Sequence, residues 1–200
     1  QELSRERAPE LYRRVEELST TLGIEPPTLC VARMDAPNAM ALGGPSDGVV
    51  VLDTSLFRLL SVREFDAIIA HELAHVKNRD GLVSTLGATL VSTVAGLLGL
   101  VLLPAMLLAA GTARGLALVR GQGGADVKRA TVRARQAVGG LAVVLLFTLT
   151  LALRAYSRRR ELAADDTAAA VTGDPGALAS ALSRIQRAAA ATGPLSSLYI

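Results

Sequence analysis

From Gly81 to Thr112 the chain carries no charged residue, and no other feature narrows the available folds as much. As a helix, at about 1.5 Å per residue, such a run is longer than the roughly 20 residues needed to cross a bilayer. Pro104 lies inside it, at a point where a helix would kink or stop. A second uncharged run, Gln136–Leu153, is shorter but sufficient. Between the two, residues 111–135 are basic and contain glycine, with Arg114, Arg120, Lys128, Arg129, Arg133 and Arg135 against Asp126. Two apolar runs joined by a polar loop predict a transmembrane hairpin, with spans over about 82–110 and 136–153. The competing reading is a pair of helices buried in a soluble core. Half of the 200 residues are hydrophobic, 3% are aromatic and mean hydropathy is +0.39, so the apolar mass is Ala, Leu and Val, which favours helices. The net charge is only +3. Arginines beside apolar runs point to a lipid bilayer. With no basic face interleaved with aromatics, no nucleic-acid partner is expected.

Around the hairpin the sequence reads as a small mixed-composition domain. The opening, Gln1 followed by the charged segment Glu2–Arg14, holds no signal peptide and reads as part of a longer or processed protein. An amphipathic helix is predicted over 5–22, with Leu11, Val15, Leu18 and Leu22 at helical spacing and Gly23 as its C-terminal cap. Three short β-like runs follow, Thr28–Ala32, Asn38–Leu42 and Val49–Leu52, separated by turn formers at 35–37 and 43–48. They predict a small antiparallel sheet. After a short apolar turn or helix at Ser55–Leu60, Ser61 and Glu64 form a capping-box pattern. A helix should therefore run from Val62 to about Asn78, burying Phe65, Ile68, Ile69, Leu73 and Val76. Beyond the hairpin a charged helix is expected over Ser157–Val171. Another should begin at Asp174-Pro175 and end before Gly193–Pro194. The single cysteine, Cys30, excludes an intrachain disulfide and reads as a buried thiol.

The predicted helix at 62–78 holds His71-Glu72-Leu73-Ala74-His75, which contains both histidines of the chain. Residues i and i+4 share a helix face, so two imidazoles can meet one Zn²⁺. Glu72, on the adjoining edge, is placed to act as general base on a water. The competing reading is a surface helix with a polar His–Glu–His face. A catalytic zinc takes three protein ligands and keeps one open position. With no third histidine, the last ligand is a carboxylate or Cys30. The foremost candidate is Glu161, with Asp165 one turn later on the same face, placed to accept a hydrogen bond from a ligand histidine. The same segment also reads as a charged helix leaving a membrane, with Arg158 paired to Glu161 or Asp165. A two-pass hairpin returns the chain to the side it left, so His71 and Glu161 would face the same side.

Three separated motifs resemble the HtpX and CAAX prenyl protease family of membrane zinc metallopeptidases, over roughly residues 10–190. Pro37-Asn-Ala-Met-Ala-Leu-Gly43 is similar to the family's strand before the active site. Ile69-Ala-His-Glu-Leu-Ala-His75 is similar to its zinc helix, and the segment Ser157 to Asp165 to its third-ligand helix. The resemblance implies one Zn²⁺ per chain held by His71, His75 and Glu161, with Glu72 as catalytic acid and base. It implies that the Asn38–Gly43 strand lines the cleft, so that Asn38, Ala39, Met40 and Ala41 contact an extended polypeptide. Arg158 and Asn38 are candidates for holding the substrate carbonyl. It further implies a multi-pass protein of the cell membrane, its active site facing the cytoplasm, that cuts misfolded or damaged membrane proteins. The alternatives are processing of prenylated proteins and a catalytically silent membrane scaffold. The departures are Met40, where an aromatic residue is common, and Arg79, where glycine is common. The fold expected is mainly α with a small antiparallel β-sheet. Residues 1–80 and 154–200 would make one zincin-like peptidase domain, interrupted by a transmembrane hairpin at 81–153. Oligomeric state is not legible in the sequence.

Overall fold

A computed structural model describes residues 1–121 and 123–192. The break expected at Gly193–Pro194 lies outside these residues. The chain order is α1 (Pro9–Leu22), β1 (Thr28–Ala32), β2 (Ala39–Leu42), β3 (Val49–Asp53), α2 (Leu56–Leu59), α3 (Val62–Asn78), α4 (Asp80–Val119), α5 (Gly124–Thr172) and α6 (Pro175–Thr192). Two compact units result, one of residues 1–84 with residues from 158 onward, the other of residues 85–157.

The first unit is built on α3. Its predicted stripe is buried, and so are Ala67, Ala70 and Ala74, so most of the helix circumference faces protein. Around it lie Val15 and Leu22 of α1, Leu29, Val50 and Leu52 of the sheet, and Leu178 and Ala181 of α6. α1 starts at Pro9, later than expected. Proline at the first helical position suits its fixed φ and missing N–H, and it keeps Ala8 out of the helical region.

The sheet is mixed, not antiparallel. β3 is central, in the order β1-β3-β2, parallel to β1 and antiparallel to β2. Two chain reversals leave β1 and β3 pointing the same way. An all-antiparallel sheet would need β2 in the middle. Instead Val49–Leu52, the most apolar run, takes the doubly flanked position, where Val50 and Leu52 are fully buried. That leaves β2 at an edge. The β2–β3 turn depends on Gly43, at φ 81°, where a β-carbon would meet the Asp47 carbonyl oxygen at 2.4 Å.

The capping box forms as predicted, and its acid is tied to more than its own helix. The Glu64 carboxylate accepts from the Ser61 N–H and hydroxyl, both at 2.8 Å, and from the Ser180 hydroxyl at 2.5 Å. Arg184 Nε lies 2.9 Å away. These donors, Ser180 foremost, hold its carboxyl down at about 2, against an ordinary 4.5. A folded pKa below the unfolded one stabilises above pH 4.5 and loses that contribution as pH falls towards 2. Glu64→Gln is therefore expected to cost about 2 kcal/mol at neutral pH. The gap between parent and variant melting temperatures should close on acidification through that window.

In the second unit, α4 and α5 pass well beyond the expected spans. α4 continues through Pro104 to Val119, and α5 is already helical at Gly124. Residues 111–119 and 124–135 are thus helix ends, with a turn at 120–121. The separate helix predicted from Ser157 is the continuation of α5, since nothing between Leu153 and Ser157 breaks a helix. Both helices are long and apolar enough to cross a membrane. Leu100, Leu108 and Phe147 are 73%, 70% and 62% exposed, which core helices of a soluble protein would not be.

Candidate metal centre and active site

Burial of Phe65, Ile68, Ile69, Leu73 and Val76 orients α3 and sets where His71, Glu72 and His75 point. On α5, Ala164 and Ala168 are fully buried, which seats that part of the helix on the core. Glu161 and Asp165 share the same side by helical spacing. The result brings together His71, His75 and Glu161, all in the first unit. The two Nε2 atoms stand 3.1 Å apart, and each is 3.8 Å from Glu161 Oε2.

The opposite ring nitrogens face carboxylates. His75 Nδ1 lies 2.6 Å from Asp80 Oδ2. His71 Nδ1 lies 2.9 Å from Asp165 Oδ1, at an angle short of a well-formed hydrogen bond. At His75 the Asp80 acceptor favours the Nδ1–H tautomer, which frees Nε2 to ligate, and Asp165 stands on the corresponding side of His71. Two imidazole nitrogens and a carboxylate oxygen thus converge. Around an ion with bonds of roughly 2.0–2.2 Å, tetrahedral ligands sit about 3.3–3.6 Å apart. The three observed separations bracket that edge, so the donor set fits a small divalent ion. Burial, followed by the neighbouring His75, lowers the pKa of His71, against the pull of Asp165 and Glu161. That favours the neutral, ligating form.

Glu72 is 9% exposed. Burial, opposed by His75 and reinforced by Glu161, lifts its carboxyl to about 7, and it accepts the Ala41 N–H. Edge strand β2 is thereby joined to the turn of α3 that carries His71 and Glu72. Asn38 is held through its carbonyl, which accepts the Asp53 N–H at 2.9 Å, leaving its side chain exposed. Met40 is 39% exposed and Ala39 half-buried. Arg158 is exposed, and it forms no ion pair with Glu161 or Asp165. Cys30 is half-buried in β1 and no part of the metal-ligating group.

Sequence reasoning missed Asp80 and Arg160. α3 ends on Arg79 in the left-handed conformation, φ 55°, which turns the chain so that Asp80 folds back on His75. Glycine is the usual residue for that conformation, and Arg79 stands where the family commonly has one. The available signal was that alternation: a left-handed cap followed by an acid. Arg160 donates to the Asp80 carbonyl oxygen at 2.8 Å and lies 3.7 Å from its carboxylate. Asp80→Asn keeps the shape and removes the charge that orients His75. It should lower divalent-ion affinity about 10–100-fold in chelator competition, with the melting temperature of the metal-free protein little changed.

The family model for peptidase family M48 matches residues 5–198. The Protease HtpX homolog of Paraburkholderia phytofirmans is 38% identical over 190 residues, 94% of this chain and 59% of that protein. The homolog of the same name from Burkholderia multivorans is 38% identical over 193 residues, 95% of this chain and 60% of its own length. The chain thus spans about three fifths of the curated relatives it matches. No solved structure matches it significantly.

Proposed function

The chain belongs to peptidase family M48, and we propose that it is the catalytic part of a zinc-dependent endopeptidase held in the membrane. One observation carries this reading. Two imidazoles and a carboxylate converge within reach of one ion, beside a buried carboxyl raised to about 7. Two imidazoles and a carboxylate with an open fourth position are a usual donor set for catalytic zinc.

Zinc in such a site supplies Lewis acidity and makes water nucleophilic near neutral pH. The chain's own residues do the rest. Glu72 takes the proton of the attacking water and hands it to the leaving amine. Asp165 and Asp80 hold the two imidazoles in one tautomer and one orientation. The outer edge of β2, at Ala39 and the Ala41 carbonyl, offers backbone groups to which an extended polypeptide can add as a further strand. The exposed side chains of Asn38 and Arg158 are the donors we assign to the substrate carbonyl.

The two apolar helices support a membrane location, with residues 81–153 as a hairpin inserted into the peptidase domain. A role in clearing misfolded or damaged membrane proteins is consistent with relatives named as HtpX proteases, and we assign the site to the cytoplasmic side on the family resemblance. The test is metal removal. Full-length protein in detergent should cleave casein, lose that activity to a chelator, and regain it on addition of one zinc per chain. Cleavage that survives complete removal of metal would refute the zinc reading.

A further inference from the structure

We infer that the tip of the helical hairpin is a docking surface for anionic phospholipid headgroups. This rests on the membrane-spanning reading above. Gly139 of α5 lies against Met106 of α4, where a β-carbon would stand 3.4 Å from the methionine methyl. One turn earlier in α5, Arg135 therefore comes level with Ala109–Ala110, near the end of α4's uncharged run. Beyond that level α4 continues to Val119, and α5 reaches back to Gly124. The extension is roughly 15 Å at 1.5 Å per residue. The headgroup layer is only roughly 5–8 Å deep on each side of a bilayer. The tip thus passes through the phosphate layer and emerges beyond it.

Its surface matches that environment. Arg114, Arg120, Lys128, Arg129, Arg133 and Arg135 are all exposed. The one acid of the segment, Asp126, is paired with Arg129 at 2.6 Å. All but one of the six bases are arginines, whose planar fork takes two phosphate oxygens at once. By this spacing Arg114, Arg133 and Arg135 fall within the phosphate layer, while Arg120, Lys128 and Arg129 lie just beyond it, within about a Debye length of the lipid phosphates.

The experiment places full-length protein in nanodiscs of mixed phosphatidylcholine and phosphatidylglycerol and counts retained lipids by native mass spectrometry. The parent should retain phosphatidylglycerol preferentially, and high salt should weaken that preference. Each base near the surface is worth about fivefold in preference. The combined variant R120Q, K128Q, R133Q and R135Q should lose at least about tenfold. A control carrying R7Q and R33Q, exposed bases that flank neither apolar run, should keep the parental ratio. Parental phosphatidylglycerol retention by the four-site variant overturns the inference, as does a parent with no preference or one whose tip binds RNA in its place. Release of the protein from membranes by alkaline carbonate would instead sink the spanning reading itself, so the two failures are distinguishable.

Discussion

Glu72→Gln is expected to leave metal binding and fold intact while lowering kcat about 10²- to 10⁴-fold, the range a positioned general acid–base supplies. The substitution keeps the side chain's size and its ability to accept the Ala41 N–H, and it removes only the capacity to take a proton. KM should move little, because the outer edge of β2 is untouched. The pH dependence follows from the same carboxyl. Glu72 must be ionised to act as base, and burial raises its pKa to about 7 in the metal-free site. A bound cation favours the ionised form and moves that value down. Activity should therefore rise with pH along a limb centred at or below 7, and the limb should vanish from the variant's residual activity. The stability sign is the reverse of that for Glu64. A carboxyl whose folded pKa lies above its unfolded value burdens the fold once pH exceeds the unfolded value. Metal-free Glu72→Gln should thus be more stable than the metal-free parent above pH 7, by on the order of 2 kcal/mol. A variant that loses zinc along with activity would show Glu72 to be a structural support of the site.

What could be read from the sequence and what could not divide along the range of the signals involved. α3 was legible to the residue, Val62 to Asn78, because capping box, apolar stripe and the histidine pair all lie within one helix. Glu161 and Asp165 were legible as a pair by helical spacing, but their meeting with α3 required the tertiary fold. That Asp165 faces His71 while His75 is served by Asp80 is set by the left-handed turn at Arg79. A non-glycine residue conceals such a turn from sequence inspection. The sheet was misjudged because short apolar runs specify strands and not partners. Which run becomes central is settled by competition for burial, won here by Val49–Leu52. α4 and α5 run beyond the predicted spans because loss of apolar character marks the end of a span and not the end of a helix. Arg114 and the bases of α5 end an apolar span without ending the hydrogen-bonded backbone that carries it.

Glu161→Ala should weaken metal binding about 10²-fold while sparing the fold. The Glu161 side chain is 56% exposed, so its removal opens no cavity and strands no buried donor. The neighbouring Ala164 and Ala168, fully buried, keep this part of α5 seated without it. On the proposed reading, what is lost is one of three ligands. Structural zinc sites bind with roughly 10–16 kcal/mol shared over four ligands, so a single ligand contributes on the order of 3 kcal/mol, about 10²-fold in affinity. Equilibrium dialysis against a zinc buffer should show that loss, with casein cleavage falling in parallel at limiting zinc. Asp166→Ala provides the control, since Asp166 is an exposed acid on the same helix outside the metal-ligating group. The outcome separates the two fates the sequence left open for this segment. A solvated acid on a helix leaving the membrane could be removed without consequence for zinc. A ligand 3.8 Å from both imidazole nitrogens could not, because His71 and His75 alone would leave the ion two protein bonds where a catalytic site uses three.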